Sequence, residues 1–308
     1  MTDRLVKGQF HKNPAIDTIL FVGPNGNIGK MMIPELLDLG YRVRALANKS
    51  RVKEREGMEV IYGGTADMGV VKEAMDGVDA VIHMIRATTA TSPGATDQEK
   101  WFNCCVRGAA NLLDVAKDME LVQFIAGSMD GVYGIGKVEF AGPIKEDQPL
   151  HALDFYYGIY KIVEEELCRQ YMHAYGVPIT ITRFPLIWEL ADAATGRGLV
   201  SGKVIKRKID KDGKPLVDHM VFLPDAVQGV MLALQNEKAI GETFNIPGPK
   251  AHSSQEYADA LKVKFGYDVE DSTRFANGWE IDYSKAASVL GYQPHYDLLE
   301  LIKGTYGL

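Results

Sequence analysis

The stretch Thr18-Ile19-Leu20-Phe21-Val22-Gly23-Pro24-Asn25-Gly26-Asn27-Ile28-Gly29 decides the fold. An apolar run enters a loop with glycine at every third position, and a helical pattern follows from Lys30 to Leu39, with Ile33, Leu36 and Leu37 at helical spacing. Each glycine has a physical use at such a turn. One permits the tight exit from the strand, one lets the backbone approach a phosphate, and one allows close helix–strand packing. A dinucleotide pyrophosphate would face the free N–H groups of the helix start. The spacing also arises in glycine-rich loops that bind nothing, so the surrounding order carries the argument.

Gly40 stops the first helix and a second strand, Arg42 to Ala47, follows, which completes a βαβ unit. A protein that prefers NAD places Asp or Glu at the tip of that second strand to hold the adenosine ribose. Here the tip reads Ala47-Asn48-Lys49-Ser50-Arg51. It offers two cations and a hydroxyl where a 2′-phosphate would lie, so NADP is expected and NAD stays possible. The alternative is an ordinary solvated basic turn.

Further strands are expected at Glu59 to Tyr62, Ala80 to Ile85, Leu121 to Ala126 and Ile179 to Arg183. Helices are expected at Val70 to Met75, Asp97 to Lys117 and Phe155 to Tyr175. Repeated βα alternation means an α/β fold, a doubly wound parallel sheet of Rossmann type with helices on both faces. The organisation expected is an N-terminal extension over 1–16, a dinucleotide-binding domain over 17–185 and, over 186–308, a smaller substrate lobe. Segments near 219–246 are expected to return to the sheet.

A chain of 308 residues with a net charge of −7 lacks the basic face that nucleic acids require. The basic run Lys203 to Lys214 is mixed with acids and reads as solvated loop. No apolar run reaches membrane-spanning length, and Met1 to Pro14 is too polar for a secretory signal, so a cytoplasmic location is expected. Cys104, Cys105 and Cys168 have no metal spacing; no metal site is expected, and the cysteines read as reduced packing thiols.

Chemistry enters at Phe155-Tyr156-Tyr157-Gly158-Ile159-Tyr160-Lys161, where Tyr157 and Lys161 lie one helical turn apart and share a face. A phenol with a pKa near 10 is a poor base at neutral pH, but a neighbouring ammonium stabilises its phenolate. The pair is a proton-transfer device for a carbonyl or an alcohol. A Tyr and a Lys at this spacing are also common on helix surfaces; their place after a dinucleotide loop favours the functional reading.

With these pieces the chain resembles the extended short-chain dehydrogenase/reductases, the group that includes the NAD-dependent epimerase/dehydratase family. The likeness extends through Gly77-Val78-Asp79-Ala80-Val81-Ile82-His83, Asn103 to Ala116, Val132-Tyr133-Gly134 and Arg183-Phe184-Pro185. It continues in Gly241-Glu242-Thr243-Phe244-Asn245-Ile246 and in Asp282-Tyr283-Ser284-Lys285 through Leu290-Gly291-Tyr292-Gln293-Pro294.

The resemblance implies that Tyr157 is the acid/base and that Lys161 assists it and holds the nicotinamide ribose. Gly23, Asn25, Gly26, Asn27, Ile28 and Gly29 would line the pyrophosphate, and Asn48, Lys49, Ser50 and Arg51 the adenosine ribose. Thr65, Met84 and Pro185 complete the expected cofactor site. The helices Asp97 to Lys117 and Phe155 to Tyr175 resemble those that form a homodimer interface in the family, although their apolar residues would serve equally as core.

Two positions depart from the pattern. The family usually carries Ser or Thr three residues before the Val of Val132-Tyr133-Gly134, and this chain has Met129, with Ser128 beside it as the substitute hydroxyl. Gly64 stands where an adenine-contacting Asp is common. Met129-Asp130-Gly131 replaces the Thr-Asp-Glu of the dehydratases, which argues against elimination and leaves Asp130 as either a substrate contact or a turn residue. The expected activity is therefore hydride transfer between a secondary alcohol and a carbonyl on a small polar, sugar-like substrate. The alternatives are an epimerase that retains NAD and an NADP-sensing regulator. Trp188, Glu189, Arg197, His219 and Trp279 are the candidates to line the lobe.

Overall fold

The computed structural model describes residues 9–48, 50–85, 97–152 and 156–306. Its centre is a seven-stranded sheet. Strands β1 (Thr18–Val22), β2 (Arg42–Ala47), β3 (Met58–Tyr62), β4 (Ala80–His83), β5 (Gln123–Met129) and β6 (Ile179–Phe184) are joined by Thr243–Asn245. In space the order is Thr243–Asn245, β6, β5, β4, β1, β2, β3, and every pairing is parallel. The doubly wound parallel sheet expected from the alternation is thus present.

Every residue of β1 is buried because both of its faces are covered. Ile19 and Phe21 enter one core with Met32, Ile33 and Leu36 of helix α1 (Asn27–Asp38) and with Val227, Val230 and Met231 of the helix Leu223–Leu234. Leu20 and Val22 point the other way, into a core with Val71, Ala74 and Met75 of α2 (Met68–Met75) and Leu112, Leu113 and Cys168. The period-two alternation along β1 sorts its side chains between the two layers.

The helix expected over Asp97 to Lys117 is continuous but not uniform. It consists of α3 (Asp97–Trp101), a π-helical stretch Phe102–Arg107 and α4 (Gly108–Ala116). β5 runs three residues beyond its expected end, because Gly127, Ser128 and Met129 pair with Thr182, Arg183 and Phe184 of β6. Helix α5 (Tyr156–Tyr175) packs beside α4.

Beyond Pro185 the strands are short, although the helices Leu223–Leu234 and Ser254–Phe265 are as long as α1. A third apolar cluster gathers Trp188, Leu199, Ile205, Phe222, Tyr257 and Leu261, and a smaller one joins Val132, Tyr133 and Ile144 to Trp279 and Ile281. Of the basic run Lys203 to Lys214, read as solvated loop, 211–214 is an exposed turn as read, but the first part is in fact the strand Val204–Lys208, parallel to Asp268–Ser272. Its charges are met by that partner: Lys206 lies 2.5 Å from Glu270 and Arg207 2.6 Å from Asp271. Cross-strand pairing of opposite charges is what makes so polar a segment a strand. Among the described residues, no helix is long and apolar enough to cross a membrane.

Candidate active site

The glycine loop is tight where it must be and open where a ligand would lie. Gly23 has φ of +93°, and a Cβ there would meet Met84 O at 2.7 Å. A Cβ on Gly29 would stand 2.7 Å from Pro24 O and 2.8 Å from Gly23 O. At exposed Gly26 a Cβ would have only Gly23 O within reach, at 3.3 Å. Gly26 is also the N-cap of α1 and supplies no side-chain cap, so the first-turn N–H groups have no capping side chain. Asn25, Asn27 and Ile28, each half-buried, surround that opening. A dinucleotide pyrophosphate fits this cradle.

The tip of β2 lies beside it. Ala47 is buried, while Asn48, Ser50 and Arg51 are exposed; Lys49 lies outside the described residues. Asn25 Nδ2 donates to Ser50 O at 3.1 Å, which ties the basic turn to the glycine loop. Thr65 is buried rather than open: a Cβ on Gly108 would come within 2.1 Å of its Oγ1, and its carbonyl accepts from Asn111 Nδ2 at 2.9 Å.

The proton-transfer pair is joined to the same end of the sheet. Met84, whose carbonyl faces Gly23, has its sulfur against Gly127, where a Cβ would sit 2.6 Å from Sδ. The carbonyl of Gly127 accepts from Lys161 Nζ at 2.7 Å. Lys161 Nζ is 6.0 Å from the centroid of the Tyr157 ring, and the Trp101 ring packs on Tyr157 at 4.2 Å. Trp101 ends α3, immediately before the π-helical stretch, so the local widening of that helix occurs opposite the start of α5. Gly23, Met84, Gly127, Lys161 and Tyr157 are therefore linked contact by contact, and buried Pro185 follows directly on β6.

Behind Lys161 lies a group that the sequence did not single out. Glu164 Oε2 is 2.7 Å from Lys161 Nζ, and Glu164 Oε1 is 3.1 Å from His83 Nδ1. These are ion-pair distances, but the carboxylate oxygens and both imidazole nitrogens lack a well-aligned hydrogen bond. The side chains of Lys161, Glu164 and His83 are 1%, 2% and 0% exposed. Burial works to lower the lysine's pKa, but Glu164 and then Tyr157 outweigh it and leave the ammonium above its ordinary range. No sequence signal marked this group, because His83 ends β4 and Glu164 lies far along the chain in α5.

Ser128 and Met129 point apart, as neighbours on a strand do. Ser128 Oγ is buried beside the Glu165 carboxylate, close enough to help hold it ionised but without a well-formed hydrogen bond. Met129 packs with Val132, Tyr133, Ile144, Trp279 and Ile281. Asp130 is 5% exposed, and burial, followed by the nearby Asp218 carboxylate, pushes its pKa well above the usual range.

The residues nominated for the lobe mostly hold it together. Trp188 and His219 are buried, Glu189 forms a capping box with Asp192, and Arg197 binds Asp192 and the Ile187 carbonyl. Trp279 has the Lys208 ammonium 5.3 Å from its ring. The lobe does contain a cavity of about 220 Å³ bordered by Ser201, Lys206, Lys208, Ser272, Arg274 and Phe275. Lys206 and Lys208 come from the strand Val204–Lys208 and Arg274 from the segment after Asp268–Ser272, far apart in sequence, so no motif marked it.

Residues 19–247 match the model of the NAD dependent epimerase/dehydratase family. The chain is 26% identical to the uncharacterized UDP-glucose epimerase YtcB of Bacillus subtilis, over 75% of this chain and 73% of that protein. It is 25% identical to UDP-glucuronate 4-epimerase 3 of Arabidopsis thaliana, over 91% and 74%. A short-chain dehydrogenase/reductase superfamily protein from Agrobacterium tumefaciens, solved with bound NAD, superposes with a TM-score of 0.79 at 22% identity, covering 94% of this chain and 96% of that one. At that identity the likeness is one of fold.

Proposed function

The chain belongs to the NAD-dependent epimerase/dehydratase family, and we propose that it is a net oxidoreductase that interconverts a secondary alcohol and a carbonyl on a small polar, sugar-like substrate. The observation that carries this reading is the contact chain from the glycine loop through Met84 and Gly127 to Lys161 and Tyr157. When bound, the nicotinamide supplies or accepts the hydride. In reduction, the Tyr157 hydroxyl donates its proton to the carbonyl oxygen as that oxygen becomes an alcohol; in oxidation it takes the proton back. Lys161 stabilises charge on the phenol and would hold the cofactor ribose. Ser128 is the second candidate donor, and it reaches the substrate only by turning from Glu165.

Net redox chemistry needs a cofactor that leaves after each turnover. The β2 tip suits this, since Ala47 offers no carboxylate to ribose hydroxyls and exposed Arg51 is available to a 2′-phosphate. NADP is accordingly the proposed cofactor, with NAD the alternative. At the lobe cavity Lys206 and Lys208 are already paired with Glu270 and Asp218, and Arg274 with Ser201 and Ser272 are the lining groups that suit an anionic or strongly hydroxylated substrate.

The test is to incubate the protein with NADPH and a panel of keto-sugars and nucleotide sugars. Loss of NADPH absorbance in step with product is expected. The relatives described as epimerases support a second reading, in which substrate is isomerised on a retained NAD. Isomerised sugar with no net change in cofactor, and NAD that survives purification, would favour it. We further propose a homodimer, because Phe102, Ile159 and Val163 are 41%, 41% and 38% exposed on the π-helical stretch and α5. Light scattering checks it, and a monomer at micromolar concentration would refute it.

A further inference from the structure

An ammonium lowers the pKa of a neighbouring phenol only while its charge is felt there. The charge on Lys161 is not alone, because the Glu164 carboxylate stands 2.7 Å from Nζ with both side chains buried. His83 braces the same carboxylate at 3.1 Å from β4. The titratable groups that bear on Lys161 and Glu164 are His83 from β4, Cys104 and Cys105 from the π-helical stretch, and Tyr157 and Cys168 from α5. Glu165, the next residue, is turned to Arg183 and Arg169.

We propose that Glu164, braced by His83, is a positioning residue that offsets the charge of Lys161 toward Tyr157 and keeps the phenol protonated, poised as an acid for carbonyl reduction. The inference rests on the reading of Tyr157 as the acid/base. Two observations favour it over a purely structural ion pair. Among the described residues the oxygens of Glu164 and both nitrogens of His83 find no well-aligned hydrogen bond, which is a poor way to stabilise a core. The pair also meets Lys161, whose ammonium lies 6.0 Å from the centroid of the Tyr157 ring.

The experiment reads Tyr157 directly and needs neither substrate nor nicotinamide. Tyrosinate absorbance is titrated with alkali in the intact protein and in Tyr157→Phe; the chain has 14 tyrosines, so the difference isolates the one in question. The same pair of titrations is then run in a Glu164→Gln background. Its Tyr157 midpoint is expected to lie about one pH unit lower, a roughly tenfold larger ionisation constant. Glu164→Asp keeps the ion pair, and with it the fold, but draws the carboxylate back, and it is expected to lower the midpoint by a smaller step. An unmoved or higher midpoint in whichever variant folds overturns the proposal. A wrong assignment of the reaction leaves these titrations intact and shows itself in the NADPH assay instead.

Discussion

Helix α5 presents two adjacent glutamates to two different regions, and the contrast between those regions separates scaffold from chemistry. Glu165 meets Arg183 through two aligned hydrogen bonds, 2.9 Å to Nε and 2.6 Å to Nη2. Arg183 continues to the Tyr133 hydroxyl at 2.7 Å and the Glu146 carbonyl at 3.0 Å, and Tyr133 donates to Asn245 Oδ1 at 2.7 Å. That network links α5, β6, the turn after β5 and the strand Thr243–Asn245. Its geometry is what a buried charge needs to persist. Glu164, one residue earlier and about 100° round the helix, faces Lys161 and His83 with ion-pair distances but poor alignment. The aligned network fixes geometry, whereas the misaligned one is retained beside the proposed proton donor, where charge rather than rigidity matters.

The largest expected effect lies on the chemical side. Tyr157→Phe keeps the ring packed on Trp101 but removes the donor, so turnover should fall by about 10²–10⁴ with cofactor affinity nearly unchanged. Undiminished turnover would remove Tyr157 from the mechanism and blur the contrast. On the scaffold side, Glu165→Gln strands the Arg183 guanidinium in the core and should cost about 3–5 kcal/mol, measured as the free energy of urea unfolding. A cost below about 1 kcal/mol would show that the aligned network does not hold the elements together.

A third buried group sharpens the distinction between aligned and misaligned sites. His219 is held neutral, its Nε2 at 2.9 Å from Gly248 O and its Nδ1 accepting from the Ile281 N–H at 3.0 Å. Burial pushes its pKa down to about 4 from 6.5. A depressed histidine contributes stability that is complete above about pH 6.5 and is lost as pH falls through that value toward 4. The full loss is on the order of 3 kcal/mol. Urea unfolding at about pH 7 and pH 4.5 checks it: His219→Gln should flatten this part of the dependence. The smallest effect concerns the cofactor. Ala47→Asp should move preference from NADPH toward NADH by about tenfold in calorimetry, since a carboxylate there repels a 2′-phosphate. A preference that does not move would detach the β2 tip from cofactor choice.

Legibility followed the same physics. β1 could be read residue for residue because a strand buried on both faces leaves an uninterrupted apolar run, and β2 because Gly40 and the polar tip after Ala47 bound it on either side. The end of β5 could not, since Gly127-Ser128-Met129 has neither strand composition nor alternation and is a strand only through its pairing with β6. Val204–Lys208 was hidden for a related reason: its cations look solvated until Glu270 and Asp271 arrive from a strand some sixty positions on, at separations of |i−j| = 64. In the candidate site, Tyr157, Lys161 and the glycine loop were visible as spacing. Glu164 and His83 were not, because nothing in a sequence says that a helix residue and a strand residue so far apart share one lysine.

The floor of the cleft is made of main chain. At Gly23 and Gly29 even a methyl group would collide with carbonyl oxygens 2.7 Å away, and those oxygens belong to strand ends and turns that have nowhere to retreat. A library that randomised the whole cleft would therefore recover its diversity from the rim, at Asn48, Ser50 and Arg51, and from the lobe, at Ser201, Ser272 and Arg274. The glycine loop itself is closed to side-chain invention at Gly23 and Gly29, and variation can enter only at its rim and in the lobe.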